Sequence, residues 1–250
     1  MGFMVAVSHT SRYNAFCMKI AVIGSGGYVG SALCKALTRR GYSVTTVTRA
    51  NYSEAKSGDF DIVVNCAMPS GKFWAKNNPK KDYEETVEKT ARLLKEWRFK
   101  KFVQISTLSA RTKSDTVYGA HKAQAERLCN PNEHLIVRLG ALYSTSMKKG
   151  VLLDMLQGKK VYVDGKSRYS FVPLDFCAEW VAAHLERNGV VEVGGKNAIA
   201  LVDVAAHIGA HVEFEGELDH QDLVSPESDF PEAKDVLAFL DSMRASQTSL

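Results

Sequence analysis

Short apolar runs alternate along this chain with stretches whose apolar residues recur at helical spacing. Ile20 to Ile23 is an uninterrupted apolar run that stops at Gly24, the pattern of a buried strand. Ser31 to Arg40 follows with Leu33, Ala36 and Leu37 on one face and Gly41 just beyond, which predicts an amphipathic helix closed by a glycine. Tyr42 to Thr48 is β-branched and predicts a second strand. Asp61 to Ala67 predicts a third, broken by Met68, Pro69, Ser70 and Gly71. Lys76 to Lys81, rich in Asn, Pro and Lys, reads as a loop. Asp82 to Trp97 predicts a helix through Val87, Ala91, Leu94 and Trp97, and Lys101 to Ile105 a strand closed by Ser106 and Thr107. Leu108 to Thr116 is short and polar. Val117 to Cys129 predicts a helix and His134 to Leu139 a strand.

Further on, Met147 to Gly158 predicts a helix and Lys159 to Gly165 contains a short strand. Phe171 to Arg187 begins as a strand and becomes helical from Asp175. Val190 to Val193 predicts a strand and Leu201 to Ile208 a helix. Phe230 to Arg244 predicts a closing helix on the apolar positions Val236, Leu237 and Leu240. Strands alternating with helices predict an α/β fold: a Rossmann-type, doubly wound, mostly parallel sheet. We expect residues 18–145 to form a dinucleotide-binding unit and residues 146–250 a small C-terminal substrate lobe, with 170–187 packing back on the sheet. Asn51 to Gly58 is short and polar where a full Rossmann half carries a third strand and helix, so that part reads as cut down.

Composition adds limits rather than identity. A 45% hydrophobic and 24% charged chain of 250 residues can bury a full core. The net charge of +4 admits an anionic ligand but does not argue for nucleic acid. No Asp or Glu precedes Glu54, whereas acids crowd between Glu213 and Asp235, the pattern of a solvated face. The five cysteines are widely spaced, without a Cys-x-x-Cys pair, as expected of free thiols in a reducing compartment with no metal site. No apolar run is long enough to span a bilayer, and a cytoplasmic location is expected. Residues 1–17 read as a flexible extension; their Ser, Arg and lack of acids leave organellar import open.

Two constellations carry candidate chemistry. The first is Gly24, Ser25, Gly26, Gly27, Tyr28, Val29 and Gly30, placed between a strand and a helix. Glycines there allow a tight turn and let a pyrophosphate approach the helix N-terminus, whose free N–H groups and dipole favour an anion. The second is Ser106-Thr107 at a strand end, followed by Tyr118 and Lys122 on one helix face. A cation beside a phenol stabilises the phenolate, which makes tyrosine usable as an acid or base near neutrality.

Taken in order, these motifs resemble the extended, nucleotide-sugar-modifying branch of the short-chain dehydrogenase/reductase superfamily. Gly24-x-x-Gly27-x-x-Gly30 resembles its glycine fingerprint, and Asn65-Cys66-Ala67 the segment lining the cofactor. Phe102 to Thr107 resembles the strand with the catalytic Ser or Thr. Tyr118-Gly-Ala-His-Lys122 resembles the catalytic Tyr-x-x-x-Lys, and Ile136 to Gly140 the strand after it. Arg168 to Asp175 resembles a stretch whose arginine contacts substrate phosphate, offset by one residue. The resemblance spans roughly Met18 to Asn197 and implies roles. Tyr118 would be the general acid/base, Lys122 would hold the nicotinamide ribose, and Thr107 would orient the reacting oxygen, with Ser106 second for that task. Cys66 and Ala67 would line the cofactor, Arg168 would bind substrate, and a homodimer is implied. Thr86 stands where the branch often has Asn, and the gap between Thr107 and Tyr118 is short.

An NAD site usually carries an acid about 20 residues past the glycines, on the ribose 2′-hydroxyl. Here Arg49 ends the second strand instead, where an arginine would pair with a 2′-phosphate. NADP is therefore expected over NAD. The leading expectation is an epimerase or reductase of a nucleotide-linked sugar. The alternatives are a non-catalytic cofactor-binding regulatory or assembly member, and a reductase of a small non-sugar carbonyl.

Overall fold

A computed structural model describes residues 18–248; the expectations for residues 1–17 fall outside them. Lys19–Ile23 is β1. Gly27 then caps α1, Tyr28–Arg39, and Gly41 follows it with φ of 82°. Ser43–Val47 is β2. Of the truncated segment only a one-turn helix remains, α2, Tyr52–Ala55, before β3, Asp59–Asn65.

Lys76 to Lys81, expected as a loop, is helical. Lys72–Asn77 forms α3 and Pro79–Tyr83 forms α4. Asn78 alone leaves the helical region, with φ −134° and ψ 56°. Pro79 starts the next helix at a position where a missing N–H costs nothing. That helix continues through a π turn at Glu84–Glu88 into α5, Lys89–Glu96.

Arg98–Thr107 is β4, longer than expected. Then come α6 (Ser109–Thr112), α7 (Val117–Arg127), β5 (Leu135–Leu139) and β6 (Ala141–Tyr143). The helix expected over Met147 to Gly158 shrinks to α8, Val151–Leu156, because Gly150 sits at φ 115° and starts it late. The strand expected in Lys159 to Gly165 is a single bridge from Val161 to Phe214. Next are β7 (Arg168–Tyr169), β8 (Phe171–Pro173), α9 (Leu174–Ala183), β9 (Gly189–Val193), β10 (Ile199–Ala200), α10 (Leu201–His207) and α11 (Asp235–Thr248).

Six strands form one parallel sheet in the order β2-β1-β3-β4-β5-β9. A full Rossmann sheet carries one more strand outside the second. In the described residues β2 is the edge, so the cut-down stretch after Arg49 has cost the fold that strand. Both faces of the sheet are covered, which explains the continuous apolar runs. Ile20, Val22, Ile62, Val64, Val103 and Val137 face one way, onto α1 and α9. Ala21, Ile23, Val63, Phe102 and Ile136 face the other, onto Leu93 and Trp97. A third cluster joins Leu152, Met155, Tyr169, Phe171, Leu201, Val204 and Leu240 from the C-terminal half.

From β1 the chain steps to β2 on one side and then returns to β3 on the other. The crevice beyond the C-terminal ends of β1 and β3 is thus the topological switch point, where such sheets bind ligands.

Candidate active site

The glycine turn lies at that switch point. Gly24 has φ of 80°, and a Cβ there would lie 2.9 Å from the Ala67 Cα. The N–H groups of Gly24 and Ser25 and the Ser25 hydroxyl donate to the Val47 carbonyl, at 2.9, 3.2 and 3.2 Å. The turn is therefore pinned to the end of β2. A Cβ on Gly26 would meet nothing within 4 Å, so the turn opens to space at that residue. No side chain caps α1 and no acid stands in its first turn. Its leading N–H groups are left for an anion, which fits the pyrophosphate of a dinucleotide. Tyr28 bridges outward, its hydroxyl 2.8 Å from that of Ser144, and burial pushes its pKa up.

Cys66 and Ala67 follow β3. The Cys66 N–H donates to the Ile23 carbonyl at 2.9 Å, and the Ala67 N–H to Asn65 Oδ1 at 3.0 Å. Asn65 is itself buried and held by Gln104 at 3.1 Å. Burial also raises the Cys66 thiol pKa far above its ordinary value, so its part is steric. Arg49 is exposed at the rim, and its charge helps to hold Glu85 below the usual carboxylate range, after Lys89. Lys89 ion-pairs with Glu85 and also reaches the Ala67 carbonyl at 3.4 Å. Two cations, Arg49 and Lys89, thus both act on Glu85. Lys89 escaped the reading of the sequence, because nothing local marks a helical lysine as lining a crevice.

Thr107 ends β4, past the last residue paired with β3, and pairs with Leu139 of β5. The following α6 and α7 pack closely: a Cβ on Gly119 would lie 1.9 Å from the Lys113 carbonyl oxygen. Thr116 caps α7 by accepting the Gly119 N–H at 3.1 Å. Four-residue steps then place Tyr118, Lys122 and Glu126 along one buried stripe. Tyr118 is 8% exposed and Lys122 2%. Burial raises the Tyr118 pKa, and the Thr107 side chain opposes it. The Lys122 amine lies 5.0 Å from the centroid of the Tyr118 ring and donates to the Pro69 carbonyl at 2.7 Å. Burial brings the Lys122 pKa down to about 7, against the pull of Asp82. Thr107, Tyr118 and Lys122 are therefore brought together.

Ser106, the second candidate for orienting substrate, is not with them. Its side chain leaves β4 on the opposite face from Thr107, and its hydroxyl donates to Glu126 at 2.5 Å. Glu126 also takes Arg138 at 2.7 Å, so Ser106 belongs to a buried polar network. Arg168 stands on β7, its guanidinium paired with both oxygens of Asp222 at 3.2 and 3.0 Å. A substrate phosphate would have to displace that acid. The segment after β3 ties the two halves together. Lys149 donates to Ser70 at 2.9 Å, and Lys72 ion-pairs with buried Asp219, which also accepts from Tyr169 at 2.9 Å.

A doubly wound parallel sheet, a glycine turn at its switch point and a Tyr-Lys pair beside a strand-end threonine define an extended short-chain dehydrogenase/reductase. The sequence model of the NAD dependent epimerase/dehydratase family matches residues 20–194, and the chain belongs to that family. It is an NAD(P)-dependent enzyme by that membership. No curated protein matches the sequence. Among solved structures, UDP-glucose 4-epimerase with UDP-glucose from Thermotoga maritima superposes with a TM-score of 0.70 at 16% identity, over 92% of this chain and 100% of that one. UDP-glucuronic acid 4-epimerase in complex with NAD from Bacillus cereus gives 0.65 at 21%, over 90% and 97%. dTDP-4-dehydrorhamnose reductase in complex with NADP from Bacillus anthracis gives 0.70 at 15%, over 92% and 99%. At these identities the likeness is one of fold. Among the described residues no helix is long and apolar enough to cross a membrane.

Proposed function

We propose that this chain is an NADP-dependent epimerase or reductase of a nucleotide-linked sugar. The observation that carries the reading is the Tyr118 ring, with the Lys122 amine 5.0 Å from its centroid and the Thr107 side chain acting on its phenol. Gly24 to Gly30 and the start of α1 would hold the pyrophosphate. Arg49 would meet the 2′-phosphate, Cys66 and Ala67 would line the adenosine side, and Lys122 would hold the nicotinamide ribose. When bound, the nicotinamide supplies hydride exchange with a sugar carbon.

The chain's own work is proton transfer and positioning. A buried phenol alone holds its proton too tightly to act near neutrality, since burial penalises the phenolate. The ammonium of Lys122 and a hydrogen bond from Thr107 both favour the phenolate. Tyr118 can then take a proton from a substrate hydroxyl or return one to a carbonyl oxygen. Thr107 would hold that same oxygen. We read residues 146–250 as the part that takes up the rest of the substrate, with Arg168 released from Asp222 to meet phosphate. Relatives of the same fold crystallised with UDP-glucose, NAD and NADP support this reading.

The test is turnover with NADP(H) on UDP- and dTDP-linked hexoses and 4-ketohexoses, following 340 nm absorbance and product epimers. Tyr118→Phe should bind NADPH as the wild type does and lower kcat by about 10²- to 10⁴-fold. Equal turnover in Tyr118→Phe overturns the reading.

A further inference from the structure

Residues 68–71, between β3 and α3, lie outside helix and strand. No backbone ladder places them, so side-chain contacts must. The near end is fixed to β4, where Gln104 Nε2 donates to the Met68 sulfur at 3.1 Å. At the next residue the Pro69 carbonyl accepts from the buried Lys122 amine at 2.7 Å. Beyond it the contacts run to the C-terminal half. Lys149 donates to the Ser70 hydroxyl at 2.9 Å, and Lys72 ion-pairs with Asp219.

Asp219 is a fixed anchor. It is 5% exposed. Its Oδ2 also accepts from the Tyr169 hydroxyl at 2.9 Å and from Gln221 Nε2 at 3.0 Å. Its backbone N–H donates to the hydroxyl of buried Ser167 at 3.0 Å. These partners all belong to the C-terminal half. The Lys72 side chain, by contrast, is half-exposed, and an ion pair open to solvent adds little stability. What the pair does fix is where residues 69–72 lie.

That placement reaches the candidate catalytic pair. A hydrogen bond of 2.7 Å is lost once its partners separate by about 1 Å more. If Lys72 leaves Asp219, the Pro69 carbonyl is free to shift, and the Lys122 amine beside the Tyr118 ring loses the acceptor that orients it. Direct contacts therefore run from Asp219 to Lys72, along the chain to Pro69, and on to Lys122 and Tyr118.

We propose that residues 69–72 form a positioning strap. Its anchorage on Asp219 and Lys149 holds the Pro69 carbonyl where it fixes the Lys122 amine beside Tyr118, so the placement of the C-terminal half sets the geometry of proton transfer. This rests on the reading of Tyr118 and Lys122 given above. Lys72 and Asp219 are positioning residues that act through Lys122 and touch no reacting atom.

The first arm of the experiment needs no substrate. The full chain is trace-labelled with acetic anhydride at pH 8, and mass spectrometry reads Lys122 against exposed Lys95. In Lys72→Met and Asp219→Asn, labelling of Lys122 should rise at least about threefold as the strap opens locally. Asp219→Asn keeps an acceptor for Tyr169 and Gln221, and circular dichroism confirms that each variant is folded. Lys149→Met, a change at an exposed side chain, should raise labelling in the same direction, and Lys72→Arg should restore the wild-type level. In the second arm, turnover on the nucleotide-sugar substrate, Lys72→Met should lower kcat about 10-fold or more. The double variant Lys72→Met/Asp219→Asn should be no slower than the worse single one, because both changes release one contact. Unchanged labelling of Lys122 in the folded variants overturns the proposal, as does an unchanged kcat or a double variant whose losses multiply. If Tyr118→Phe stays active while labelling of Lys122 still rises on release of the strap, the catalytic reading falls and the link from Asp219 to Lys122 stands.

Discussion

A Cβ placed on Gly30 would lie 2.3 Å from the carbonyl oxygen of Gly24. The first turn of α1 and the turn that follows β1 are thus in backbone contact, and the last glycine of the motif serves packing. Gly30→Ala must push the two apart. The expected cost is about 1–3 kcal/mol of stability, with loss of NADPH binding because the helix N-terminus shifts away from Gly26. Thermal unfolding and a fluorescence titration with NADPH check both. Unchanged NADPH affinity would separate this glycine from the cofactor site.

Arg49 is exposed just beyond β2, and among the described residues no strand flanks β2 on its outer side. A charge-assisted pair with a 2′-phosphate contributes about 1.5–3 kcal/mol. Arg49→Ser should therefore weaken NADPH about 10- to 100-fold and leave NADH nearly unchanged. Dissociation constants for the two cofactors decide it, and equal loss for both would remove Arg49 from phosphate recognition.

Lys122 titrates near 7 because burial disfavours its ammonium. In the proposed mechanism the active form is the charged one, so its share falls as pH rises through that value. The value of kcat/KM with cofactor as the varied ligand reports the free enzyme and should decline above about pH 7. Lys122→Arg, whose guanidinium stays charged, should move the decline to higher pH at a lower maximum. An alkaline limb that stays in place in Lys122→Arg would assign it to another group.

Ser106 and Thr107 are adjacent yet serve different neighbours, Glu126 and Tyr118. Ser106→Ala should cost about 1 kcal/mol of stability and leave turnover within about twofold. Thr107→Val should lower kcat by about 10²-fold with little effect on unfolding. Paired urea melts and steady-state rates on both variants give the answer, and the reverse assignment would appear as the opposite pattern.

The parts of the site that were readable in the sequence are those built from neighbours in the chain. A strand, a glycine turn and a helix succeed one another in sequence as they do in space. Tyr118 and Lys122 share a face because a helix returns every four residues. The apolar runs of Ile20–Ile23 and Ile62–Val64 announce strands buried on both faces. Where local signals misled, a neighbour had decided otherwise. The Lys76 to Lys81 stretch looks like a loop by composition, but Asn78 interrupts only one residue and Pro79 restarts the helix.

Sequence alone determined the α/β order, the glycine turn between β1 and α1, and the shared helix face of Tyr118 and Lys122, because each follows from local spacing. Tertiary structure decided the side of β4 on which Ser106 lies, the pairing of Arg168 with Asp222, and the approach of Lys89 to Ala67. It also brought Asp82 to His121 and Lys72 to Asp219, the latter across 147 positions. Such contacts join residues far apart in the chain. The energy of a buried charge depends on what surrounds it in three dimensions, and no local pattern records that.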